Sequence, residues 1–151
     1  MKKITLCLSV LMIAACSQAQ PPIEEQFLNA LQEGDAETAQ SLICWPEGWK
    51  DYPLYALRSY EINSSAEAQS EIDPSLSYRE VKITATHGST QEQKDWTIQV
   101  WESDDYFLEA KAVAKKLAEL NVRTVPEKRE FYSSNETCLE VERPAEEEPT
   151  P

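Results

Sequence analysis

Three glycines, one histidine and four cysteines are all that this chain of 151 residues holds of those types, and each scarcity closes off a kind of chemistry. So few glycines exclude most phosphate-cradling loops, and neither a G-x-S-x-G elbow nor an H-E-x-x-H pair occurs. The single histidine, His87, excludes imidazole-based triads unless it is itself the base. Beside Gly88, between two expected strands, it reads as an exposed turn residue. Cations are short as well: 14 Lys and Arg stand against 27 Asp and Glu, a formal charge of −13. Such a surface excludes nucleic acid as a partner, because gripping phosphate takes Lys and Arg. It supports solubility, with recruitment of cationic peptides as the other reading. Metal-ligand spacing is missing too. Glu102, Asp104 and Asp105 form the one candidate cation cluster, but they lack the calcium-loop pattern and read as charges at a helix start. Neither a metal nor any other cofactor is expected.

Long apolar sequence is also absent. The run Ile4 to Ala15 falls short of the roughly 20 residues that a membrane-spanning helix needs. Its flanks are informative: Lys2 and Lys3 precede it, and Ile13-Ala14-Ala15-Cys16 closes it. A basic start, an apolar run and small residues are the parts of a secretory leader. The closing box resembles that of a bacterial lipoprotein signal peptide, and the resemblance implies removal of residues 1–15 and acylation of Cys16. Ser17 after the cysteine implies, by the same resemblance, the outer membrane facing the periplasm. A plain secreted protein is the alternative. More than one acyl chain gives stable attachment, so the membrane becomes a partner through lipid on Cys16. Residues 16–22 then form a short tether, which Pro21 and Pro22 favour as extended chain.

Two cysteines remain beyond the leader and Cys16, namely Cys44 and Cys138. Outside the inner membrane thiols are oxidised, and two cysteines allow only one internal pairing, so a Cys44–Cys138 disulfide is expected. Two buried free thiols are the alternative.

Residues 23–142 read as a single α+β domain. Ile23, Phe27, Ala30 and Leu31 share one face of a first helix, which Gly34 ends. Asp35 caps a second helix through Ile43, with Ala36, Ala39, Leu42 and Ile43 inward. A strand is expected over Tyr55 to Asn63, followed by a polar stretch to Pro74. In Leu76 to Thr86 and Lys94 to Glu102, apolar and polar residues alternate, which predicts an antiparallel hairpin with one buried and one wet face. Ser103 or Asp104 then caps a third helix to about Leu120, with Phe107, Ala110, Ala114, Leu117 and Leu120 inward and Glu109 toward water. A short strand over Thr137 to Val141 completes the domain, and residues 143–151 form a disordered acidic tail.

The architecture so predicted is an N-terminal helix pair packed on a curved antiparallel sheet, with a further amphipathic helix after the central hairpin. The run Phe27 to Ala39, helix–Gly34-Asp35–helix, is similar to the opening of NTF2-like domains. That resemblance implies a sheet curved over the helices and, in some members, a cavity holding catalytic Asp, His or Tyr. No position here matches those residues, so no catalytic residue is assigned. Trp45, Trp49, Tyr60, Tyr78, Trp96 and Trp101 are the rings that could line such a cavity; filling of the core is the alternative. The expected function is that of a non-catalytic envelope lipoprotein binding another envelope protein or a small apolar ligand. An NTF2-like cavity enzyme and a purely structural accessory subunit are the alternatives. For the anchor, Cys16→Ser should yield protein recovered without detergent; membrane fractionation that leaves the variant with the bilayer contradicts acylation.

Overall fold

The computed structural model describes residues 20–46, 56–120 and 128–142. The leader, Cys16, Trp49 and the tail 143–151 lie outside the described residues. Helix α1 (Ile23–Glu33) forms because Phe27, Leu28, Ala30 and Leu31 recur on one side, and all four are buried. Gly34 ends it in the left-handed region at φ 74°, where a side chain would be strained. Asp35 starts α2 (Ala36–Ser41), accepting a hydrogen bond from the Thr38 amide at 3.0 Å. The Thr38 hydroxyl, and then that amide bond, hold its carboxyl below the usual range. α2 is shorter than expected and Ala36 is exposed, because the chain leaves the helix to bring Ile43 against the sheet.

Four antiparallel strands form one sheet in the order β1-β2-β3-β4: β1 (Leu57–Gln69), β2 (Ser77–His87), β3 (Gln93–Glu102) and β4 (Thr137–Glu142). Helix α3 (Ser103–Glu119) and a 3₁₀ turn (Arg129–Phe131) lie between β3 and β4. This is the α+β architecture the alternation implies. Val81, Ile83 and Ala85 of β2, Ile98 and Val100 of β3, and Leu139 and Val141 of β4 share one face. There they meet α1 and Ala39 of α2 in the main core. Among the described residues, no helix is long and apolar enough to cross a membrane.

β1 runs to Gln69, well past the expected end at Asn63. Its second half is exposed and polar, so no apolar alternation marks it; pairing of Ser64 to Gln69 with β2 holds it instead. Irregularities between Leu57 and Ser59 and between Ile62 and Ser64 interrupt the register. At the far end of β2, the Gly88 amide donates to the Ala56 carbonyl at 2.9 Å. A Cβ on Gly88 would come within 2.8 Å of that oxygen, so the approach needs glycine.

The outer edge of β4 is covered by residues 42–44. Ile43 bridges Leu139 in parallel, the Leu139 amide donates to Leu42, and the Cys44 amide donates back to Leu139, both at 2.9 Å. The expected disulfide joins Cys44 and Cys138 at this seam, with Cα atoms 4.8 Å apart and both residues buried. Its sequence separation of 94 residues corresponds, in the chain-entropy account, to about 4–5 kcal/mol of restricted unfolded state.

One ion pair ties α1 to the sheet. Glu24, only 4% exposed, receives both Arg79 nitrogens, at 2.6 and 2.9 Å. Burial alone would raise this carboxyl; the Arg79 hydrogen bonds and charge outweigh it and hold Glu24 below the usual range. Arg79→Met removes the cation and strands a buried carboxylate. It should cost about 3 kcal/mol at pH 7 in urea unfolding, and the deficit should shrink as pH falls, beginning above the ordinary carboxylate range because burial without Arg79 raises Glu24.

Candidate functional site

Alternation sends a second set of side chains to the opposite face of the sheet: Tyr78 and Glu80 from β2, Gln99 and Trp101 from β3, Glu140 and Glu142 from β4. Register lines up Glu80, Gln99 and Glu140 across three strands. This face was expected to be wet. Instead α3 lies over part of it, because the chain leaving β3 must return beside β3 as β4. Tyr106, Glu109, Ala110 and Val113, spaced i, i+3, i+4 and i+7, face the sheet from α3. Between helix and sheet is a cavity of about 540 Å³, whose lining is completed by Trp45, residues 70–72 and Tyr132.

The inward face of α3 therefore differs from the expected one. Glu109, expected to face water, lines the cavity, while Leu120, expected inward, is 71% exposed. Leu117 and Ala114 are only half-buried, and Phe107 packs edge-on to Tyr132 at 5.2 Å. The residue at the cap position is Glu102, which makes no side-chain cap bond. Asp104 and Asp105 lie in the first turn, and Asp104 pairs with Arg129 at 3.2 Å.

Aromatic rings form a continuous wall. Tyr78 stacks on Trp101 with centroids 4.7 Å apart, Trp101 meets Tyr106 edge-on at 5.8 Å, and Tyr106 meets Tyr132 at 6.0 Å. Of the rings expected to line a cavity, Trp45, Tyr78 and Trp101 do so. Tyr60 and Trp96 pack against the main core on the other face, where the Tyr60 hydroxyl donates to Asn29 at 2.9 Å. The cavity is thus under α3 rather than under the helix pair. His87 ends β2 and has the Ser89 hydroxyl within 3.0 Å of its Nδ1.

The polar groups of the lining are organised in short relays. The Trp101 indole donates to Gln99 at 3.0 Å, and the Gln99 amide donates to Glu142 at 3.2 Å. The Ser70 hydroxyl donates to Glu109 at 2.7 Å while accepting the Ile72 and Asp73 amides at 2.9 Å each. Its donor and both lone pairs are committed, which makes Ser70 a hinge pin between the 70–73 turn and α3 rather than a nucleophile. The Tyr106 hydroxyl lies 3.5 Å from Glu140 Oε1. Among the described residues, the Trp45 indole nitrogen is buried without a partner.

Charge in the cavity is one-sided. Glu71, Glu80, Glu109, Glu140 and Glu142 line it, and no Lys, Arg or His does so among the described residues. Burial raises the Glu140 carboxyl to about 7, with the Glu142 and Glu109 charges adding to the shift and the Tyr106 hydroxyl offsetting little of it. Burial, then the Glu140 charge, pushes the Tyr106 phenol far above its ordinary range. Among the described residues, no group of three or more His, Cys, Asp and Glu could hold a metal ion. Sequence reasoning missed Tyr106, Tyr132 and all the carboxylates; the only signal available was that Tyr106, Glu109, Ala110 and Val113 share a helical face.

No protein-family model, curated protein sequence or solved structure matches this chain.

Because folding raises the Glu140 carboxyl, the folded state holds its proton across a pH range where the unfolded chain has lost it. Ionisation therefore costs stability as pH rises from about 4.5 to above 7, on the order of 3 kcal/mol in all. Glu140→Gln should flatten the fall in unfolding free energy over that window. An unchanged slope in the variant contradicts the assignment.

Proposed function

We propose that this protein is a lipid-anchored envelope protein, held through acyl chains on Cys16 at the outer membrane facing the periplasm, whose domain binds a small ligand beneath α3 without catalysing a reaction. The observation that carries the binding reading is the cavity of about 540 Å³, walled by a run of aromatic rings and edged by carboxylates. Ligand sites are characteristically concave and of this size, with polar groups placed among rings. The leader and its Ile13-Ala14-Ala15-Cys16 box support the anchor.

One feature favours the enzyme reading: burial pushes the Glu140 carboxyl up to about 7 in a cleft, where an acid or base would be useful. Binding takes precedence because Ser70, the lining's hydroxyl beside a carboxylate, has its oxygen fully engaged by Glu109 and two backbone amides. A charge-bearing group made costly by burial is also what a receptive pocket contains before its ligand arrives.

The test is native mass spectrometry of protein gently extracted from its own membrane. Wild type should retain a small organic adduct that denaturation releases. Ala110→Trp, which fills the cavity from α3, should carry none. Bare protein in both preparations overturns the reading.

A further inference from the structure

The two faces of the sheet treat acidic side chains differently. On the helix-pair face, Glu24 is met by both nitrogens of Arg79. Under α3, Glu109 is met by the Ser70 hydroxyl, Glu142 by the Gln99 amide and Glu140 by the Tyr106 phenol, all neutral donors. Among the described residues, none of these three carboxylates has a cationic side chain against it. Glu80 alone has one, the exposed Lys82 at 3.2 Å. Resting on the reading of this cavity as a ligand site, we propose that its ligand is an organic cation, an amine or quaternary ammonium carried on an apolar body, held between the Tyr78–Trp101–Tyr106 rings and Glu109, Glu140 and Glu142.

The chemistry is selective in three directions. An anion would meet like charge from the sheet and from α3. A neutral ligand would displace water from these carboxylates and return nothing to their charge. A bare metal ion needs several oxygen or nitrogen ligands converging on one point, and no such convergence occurs among the described residues. An ammonium with alkyl substituents meets both features of the wall at once. Its charge answers the carboxylates, and its apolar substituents suit the ring-lined wall.

Protons and ligand then compete for the same place. Glu140 faces Glu142 on its own strand, Gln99 and Glu80 on the neighbouring strands, and Tyr106, Glu109 and Tyr132 from the covering segments. Every charged group in that set is acidic. A bound cation stabilises the ionised form of Glu140, and protonation of Glu140 weakens the cation's hold by the same factor.

The experiment compares three probes of matched shape on the mature acylated protein in detergent: choline, 3,3-dimethylbutan-1-ol and 3,3-dimethylbutanoate. Binding is followed through the tryptophan indole N–H signals by NMR. Choline should bind about tenfold or more tightly than the alcohol, and the carboxylate should not bind. Because choline does not titrate, a rise in its affinity between pH 6 and pH 8 reports the protein's own carboxyl. Glu140→Gln should remove that rise, and Glu140→Gln with Glu142→Gln should weaken choline about tenfold while leaving the alcohol unchanged. Alcohol binding as tight as choline, or choline affinity unaltered in the double variant, overturns the cation inference and leaves the ligand cavity standing. If none of the probes moves an indole signal, the cation inference falls, and adduct retention in native mass spectrometry decides the ligand cavity separately.

Discussion

Strand β4 is the constraint on which the rest of the structure depends. It has only 6 residues, yet it pairs with β3 on one side and with residues 42–44 on the other, and Cys138 within it is bonded to Cys44. Its Leu139 and Val141 close the main core, while its Glu140 and Glu142 enter the cavity on the opposite face. Because β4 must lie beside β3, the helix between them is obliged to cross the second face of the sheet. The cavity is a consequence of that return path. A covalent bond at the seam therefore does more than restrict the unfolded chain: it fixes the strand from which two of the cavity's carboxylates project.

The legible part of the fold was the part that follows a simple period. Alternation in β2 and β3 marked the hairpin, and Gly34-Asp35 marked the break between the first two helices. Where segments are held by something other than apolar burial, the pattern was silent. Residues 63–69 are a strand because β2 offers them an unpaired edge, a cause that Asn63, Ser64 and Ser65 do not advertise. The cavity was hidden for a related reason. Glu80, Gln99, Glu140 and Glu142 occupy the positions that a half-buried sheet normally turns to water, and in sequence a carboxylate facing solvent looks the same as one facing a ligand space. Only α3 distinguishes them, and its inward face is itself part polar. Trp45, Tyr78 and Trp101 were visible as aromatics, but whether a ring faced the core or the cavity depended on strand parity: Trp96 and Trp101, five apart in number, fall on opposite faces.

The protein thus buries one acid against a compensating guanidinium and sets several half-buried or exposed acids around the cavity without one. The first arrangement serves cohesion, since Arg79 and Glu24 fasten a helix to a strand. The second sets cohesion against reception. A carboxyl whose ionisation is opposed by its surroundings lowers the stability of the empty fold at neutral pH, and that same opposition is the free energy an incoming positive group relieves. Local instability of this kind is concentrated where the structure is arranged for something outside itself.

The sheet has one edge that nothing described here covers, the outer side of β1. Free strand edges invite the same strand of a neighbouring molecule to zip on, the first step toward fibres. Here the chain discourages that step twice. Glu61 and Glu67 set like charges against any second copy aligned in parallel, and the irregularities near Ser59 and Ser64 break the straight ladder such a copy would need. Charge and shape together therefore make this edge a poor template for sheet-to-sheet polymerisation.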